Sequence, residues 1–220
     1  MSERENILTR IREALTVKAP AHGGTGLPAT EEHRRVLPFV GASVDEQMAL
    51  FSRNAADLRA DFRQVSDLAA VQAELKALSS AESWQRVAAH EGGLSRPAAE
   101  SLGLPVAFIE QGIAKDELGR CDVGITECDA LVAQTGTALI TSRSAGGRAL
   151  SCLPPHHVII ARREQLVPDL PAAFALLKSR YGPHYPSMIS FITGPSRTGD
   201  IERILVLGAH GPKQLTIFCF

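Results

Sequence analysis

Several apolar runs in the second half of this chain are continuous rather than alternating, and this constrains its fold more than any other feature. They read "VAFIE" at residues 106 to 110, "GTALITS" at 136 to 142, "HHVIIAR" at 156 to 162, "MISFITG" at 188 to 194, "RILVLG" at 203 to 208 and "LTIFCF" at 215 to 220. A strand with one wet face alternates apolar and polar residues, whereas a run that stays apolar predicts a strand covered on both faces. Helical stripes alternate with shorter strands. Ser43 with Glu46 forms a capping-box pattern, and Met48, Phe51, Ala55 and Leu58 follow at helical spacing before the strand "DFRQV". Ser66 is expected to cap a helix carrying Leu68, Val71, Leu75 and Leu78 on one face, with "WQRVAAH" as the next strand. Asp169 is expected to cap a helix with Pro171 in its first turn and a buried stripe of Leu170, Phe174, Leu177 and Tyr181, ended by Gly182-Pro183. Such alternation predicts an α/β fold, a mostly parallel sheet flanked by helices.

The first residues differ in character. Ser2 with Glu5 repeats the capping-box pattern, and Ile7, Leu8, Ile11 and Leu15 lie along one stripe, which predicts an amphipathic helix. Residues 17–42 are rich in Gly, Pro and Ala and hold no period, as a connecting segment does. The expected organisation is an N-terminal helix and linker over 1–42 and one α/β domain over 43–220. The 220 residues are enough to bury a core of that size.

Charge and cysteine usage exclude several function classes. The formal net charge is −1, from 23 basic and 24 acidic residues without a long run of either sign, and 5% aromatic content offers little for stacking on bases. No apolar stretch reaches the ~20 residues that span a bilayer, and the opening "MSERENILTRIREALTVK" has no cleavable apolar region, so a cytoplasmic location is expected. Cys121, Cys128, Cys152 and Cys219 form no C-x-x-C pair, which argues against a self-contained iron–sulfur cluster or zinc finger. His156 and His157 are adjacent in a strand-like run, so they should point to opposite faces rather than to one metal. No metal site and no bound cofactor are expected.

The remaining polar residues gather between strands. The loop from Thr193 to Asp200 follows an apolar run. In open α/β sheets ligands collect outside the carboxyl ends of strands, where backbone amides at a helix start favour an anion. Gly194 gives that loop freedom, Ser196 and Thr198 can donate hydrogen bonds, and Arg197 adds a cation suited to carboxylate or phosphate. A plain turn with an N-cap at Thr198 or Asp200 uses the same residue types. Gly211 and Pro212 suffice for the next connection, and His210 is the residue a turn does not require. Farther upstream, Gln134 precedes Thr135-Gly136-Thr137, and Gly146-Gly147 precedes Arg148. Glu127 and Asp129 stand two apart on one face of an extended segment. Together these pieces predict a pocket for a small anionic metabolite, with the two terminal loops as one wall and Thr135, Thr137 and Arg148 as the other. No nucleophile stands out; Glu127, Asp129, Asp200 and His210 are the catalytic candidates.

The succession "GITECDALVAQTGTALI", "GGRALSCLPPHHVIIA" and "TGPSRTGDIERILVLGAHGPKQLTIF" resembles the LUD domain of the LutC/YkgG-type lactate-utilisation proteins, over about residues 120–220. The resemblance implies an α/β fold related to the NagB/RpiA/CoA-transferase-like superfamily. It also implies a part in oxidation of L-lactate to pyruvate, beside two partner proteins that carry iron–sulfur ligands, this chain being the component without a cluster. One departure is Gln134, where many relatives place an acid; an amide hydrogen-bonds but cannot serve as a carboxylate base. Two other readings are a stand-alone enzyme of that superfamily, of acyl-transfer, sugar-phosphate isomerase or cyclo-ligase type, and a regulatory or scaffolding module.

Overall fold

The computed structural model describes residues 3–16, 38–198 and 206–220. Two compact units divide the chain at Pro38 and Phe39. The first holds helix α1 (Glu3–Thr16), whose Ile7, Ile11 and Leu15 are all exposed.

In the second unit the apolar runs at 106–110, 156–162 and 215–220 enter a six-stranded sheet in which every pair is parallel, while those at 136–142 and 188–194 enter a second sheet. The strands of the six-stranded sheet are β1 (Asp61–Gln64), β2 (Val87–Ala89), β3 (Val106–Phe108), β4 (Val123–Glu127), β7 (His156–Ala161) and β12 (Gln214–Cys219), in the order β1-β12-β7-β4-β2-β3. Alternate side chains serve two cores. Ile159 and Ile217 face Phe51 and Ile140, while Val158, Ile160 and Phe218 face Val71, Leu75 and Trp84. The helices are α2 (Val44–Asp57), α3 (Leu68–Glu82), α4 (Ser95–Glu100), α5 (Lys115–Leu118) and α6 (Leu170–Tyr181). Ser43 and Glu46 close a complete capping box at the start of α2, and Asp169 caps α6 through Ala172 N.

A second sheet was not anticipated. The strands β5 (Ala130–Val132), β6 (Thr137–Thr141), β8 (Leu166–Val167) and β9 (Ile189–Ile192) assemble in the order β8-β5-β6-β9, and β6 runs antiparallel to both β5 and β9. A small ribbon pairs β10 (Arg197–Thr198) with β11 (Val206–Leu207). Two local expectations are corrected. Asp67, not Ser66, caps α3, accepting from Ala70 N at 2.8 Å while the Ser66 hydroxyl donates to the Asp67 carboxylate. In α6 the expected Leu177 is buried and Leu170 and Tyr181 pack beside it on the second sheet, but Ala173 takes the buried place expected of Phe174, which is 56% exposed.

Asp200 and the "DIER" turn lie outside the described residues, as do 17–37 of the connecting segment and the first residues of the run at 203–208. Among the described residues no helix is long and apolar enough to cross a membrane.

Candidate ligand-binding site

Three loops meet at the amino ends of β7 and β12. Pro155 O accepts from Lys213 N and Gln214 N, which ties the segment before β7 to the segment before β12. Ser196 N donates to Pro212 O at 2.8 Å, and a Cβ on Gly211 would lie 3.2 Å from Ser196 Cβ, so the two terminal loops pack on one another. Between these loops and the sheet lies a cavity of about 240 Å³ lined by Ser151, Cys152, His157, Gly194, Ser196, His210 and Gly211, among others.

The floor of the cavity is unusual. His157 is 1% exposed; its Nε2 lies 2.9 Å from Thr126 Oγ1, and its Nδ1 has no partner among the described residues. Burial pushes the imidazole down to about 3, with the neighbouring His156 adding to the effect, so the ring is neutral at physiological pH. A buried ring nitrogen without a partner costs stability. Among the described residues no carboxylate lines the space, while the hydroxyls of Ser151 and Ser196 and the His210 imidazole do. Such a set suits an acceptor-rich small molecule.

The expected residues divide between this cavity and other duties. Gly194, Ser196, His210 and Gly211 line it. Thr137 lies behind it, its Oγ1 2.9 Å from Thr193 Oγ1 and so tied to the loop that carries Ser196. Gly136 adopts φ +60° and presses on α2, where an added Cβ would come within 2.6 Å of Ala55 N. The Gln134 carbonyl accepts from Asn54 Nδ2, and the Thr135 hydroxyl is buried without a hydrogen-bond partner among the described residues; neither residue reaches the cavity. Arg148 donates to Ser187 O at 2.7 Å instead of forming the other wall. Arg197 and Thr198 build the β10 ribbon and are absent from the lining.

The two acids two residues apart have separate roles. Asp129 is 2% exposed; Oδ1 accepts from Arg180 at 2.8 Å and from Tyr181 Oη at 2.5 Å, and Oδ2 accepts from Ser144 Oγ at 2.7 Å. Glu127 ends β4 beside β2. There Oε1 accepts from Leu94 N and Ser95 N at the start of α4.

The site's position corrects an expectation. The Ser196 loop follows β9, which belongs to the antiparallel sheet, so it arrives at the amino ends of β7 and β12 and not at the carboxyl edge of the parallel sheet. Ser151, Cys152 and His157 were not among the expected site residues. The alternation of His156 and His157 carried the only signal, since it sends one imidazole to each face.

The class defined by this geometry is an α/β protein with a small polar cavity at the amino edge of a parallel sheet. The LUD domain model matches residues 43–219, and the chain belongs to the LUD domain family. Among curated proteins it is 31% identical over 183 residues to "Lactate utilization protein C" of Shouchella clausii, covering 79% of this chain and 78% of that protein. It is 25% identical to the protein of that name in Bacillus velezensis, covering 97% and 94%. The match to the Anoxybacillus flavithermus protein of that name is 37% identical but spans 44% of this chain and 43% of that protein. A crystal structure of a DUF162 family protein from Deinococcus radiodurans superposes with a TM-score of 0.63 at 24% identity, covering 81% of this chain and 99% of the other, a likeness of fold.

Proposed function

We propose that this chain takes part in lactate utilization as a non-redox component, its cavity binding a small carboxylate of the lactate and pyruvate class. The observation that carries the reading is that both terminal loops, through Gly194, Ser196, His210 and Gly211, line one cavity with Ser151 and the buried His157, without a lining carboxylate among the described residues. Ser196 and His210 would donate to the ligand's carboxylate. The relatives' shared name supports the pathway. Electron transfer would fall to partner proteins with iron–sulfur clusters, with this chain holding none, as the three-motif resemblance implies. Neither Glu127 nor Asp129 lines the cavity, so the stand-alone acid–base reading gains nothing from the geometry.

The first test is binding. L-Lactate or pyruvate should raise the melting temperature of the purified chain in a saturable way, since a ligand that binds only the native state stabilises it. Ser196→Ala and His210→Ala should remove that response while leaving the unliganded melting temperature within a few degrees. The second test is growth on L-lactate with glucose as control. A gene deletion complemented by wild type but not by folded Ser196→Ala places the cavity in the pathway. Normal growth without a redundant homologue removes the lactate reading.

A further inference from the structure

A strand at the edge of a sheet presents unpaired backbone groups, and proteins blunt such edges with charge, proline or short length. Three of the four edges of the two larger sheets are blunted in this way. β1 carries Asp61 and Arg63, β3 is three residues long behind Pro105, and β8 is two residues long ahead of Pro168. β9 is the exception. It closes the β8-β5-β6-β9 sheet with Ile189–Ile192, and no charged residue stands between Tyr185 and Ser196.

The ladder between β6 and β9 tells which backbone groups face outward. Ser142 N donates to Met188 O at 3.0 Å, which makes these two a hydrogen-bonded pair; Ile140 with Ser190 and Ala138 with Ile192 follow at the same two-residue period. Ile189 and Phe191 are therefore the alternate positions, whose N–H and C=O point away from β6. Their opposite residues on β6 agree, since Thr141 N donates to Ser144 Oγ and Leu139 O accepts from Asp129 N. Among the described residues nothing bonds the outward N–H and C=O of Ile189 and Phe191.

Apolar side chains gather at the same edge. Ile189 and Phe191 share one face of the strand, and the Phe174 ring of α6 lies 5.3 Å from that of Phe191. Phe174 is 56% exposed and Ile189 38%. A second copy of this chain answers both features. Two β9 strands related by a two-fold axis run antiparallel, so each edge supplies what the other lacks, and an uncharged strand meets no like charge in its own image. A partner recognised by charge would find none on this edge.

We propose that this chain forms a two-fold dimer through β9, joining two β8-β5-β6-β9 sheets into one. The outward groups set the register: Ile189 lies opposite the partner's Phe191, each such pair exchanging both its hydrogen bonds, and Ser190 lies on the axis opposite the partner's Ser190. The contact borders the cavity, which Ser190, Ile192 and Thr193 help to line, but no ligand enters the test. Sedimentation equilibrium of the full chain should show a monomer–dimer equilibrium. Hydrogen exchange reads the strand itself: the amides of Ile189 and Phe191 should slow as concentration rises through that transition, while those of Ser190 and Ile192, bonded to β6 in either state, should be protected throughout. Ile189→Lys, at an exposed position, should raise the dissociation constant by about tenfold or more with an unchanged circular dichroism spectrum. Cys152→Ser removes the exposed thiol and leaves the buried ones. In that background Ser190→Cys should form an intermolecular disulfide on mild oxidation, since opposed residues of a non-hydrogen-bonded pair lie about 4.5 Å apart at Cα, and Ser187→Cys, away from the axis, should not. A folded wild type that stays monomeric up to about 100 µM overturns the proposal and leaves the edge to another segment or protein. A dimer untouched by Ile189→Lys, or one that cross-links through Ser187→Cys and not through Ser190→Cys, overturns it as well.

Discussion

Asp129 and His157 show at the scale of single residues how burial decides what a polar group can do. Asp129 has the chemistry of a catalytic base, yet Arg180, Tyr181 and Ser144 occupy both its oxygens and join β5 to α6 and to the turn after β6. Removing it strands three donors, so Asp129→Ala should cost about 2–3 kcal/mol in chemical denaturation. Loss of lactate binding without loss of stability would contradict that structural role. His157 gives a pH signature. Its folded value is about 3 against about 6.5 when unfolded, so its contribution is present above pH 6.5 and is lost as the pH falls from there towards 3. Across that window wild type should lose up to about 1.4 kcal/mol per pH unit more than His157→Gln, measured as urea stability at several pH values. Residue types were legible in the sequence, but which of them would be enclosed was not. Glu127 and Asp129 look equivalent as a pair of acids and are separated only by what packs around each.

At the scale of elements, α2 illustrates both kinds of determination. Its capping box is written in Ser43 and Glu46 and forms as written, because a cap needs only four consecutive residues. Ser43→Ala should cost about 1 kcal/mol by thermal or chemical denaturation. Its docking is a different matter. Asn54 Nδ2 donates to both Ala133 O and Gln134 O, and Gly136 and Gly194 bring two loops within van der Waals reach of the helix end. Gly136→Ala combines a clash with backbone and an unfavourable φ, and should cost about 1–3 kcal/mol, more than the cap. An effect no larger than that of Ser43→Ala would show that the loop moves freely against α2. The Thr-Gly-Thr motif therefore shapes the cavity from behind, through Thr137 and the contact with α2, instead of lining it.

Across the whole molecule, the two antiparallel pairings of β6 redirect the chain. They turn β9 back on β6, deliver the Ser196 loop to the amino edge of the parallel sheet, and place the cavity lined by His157 beside β7. Among the described residues, every member of the core clusters lies in the unit from Phe39 onward. Deletion of residues 1–38 should then leave the urea midpoint and the m-value of that unit nearly unchanged, since m follows the surface exposed on unfolding. A marked fall in m would show that the first unit contributes to the cooperative core.

By itself the sequence determined the parts that depend on near neighbours. The continuous apolar runs at 156–162 and 215–220 become strands covered on both faces, four-residue patterns cap helices, and a period of two sends His156 and His157 to opposite sides. Only the tertiary structure decided which end of the sheet holds the cavity and which loops line it. Strand order and direction are set by pairings between residues far apart in the chain, such as Leu139 with Phe191 and Leu215 with His157, and no local pattern specifies such a partner.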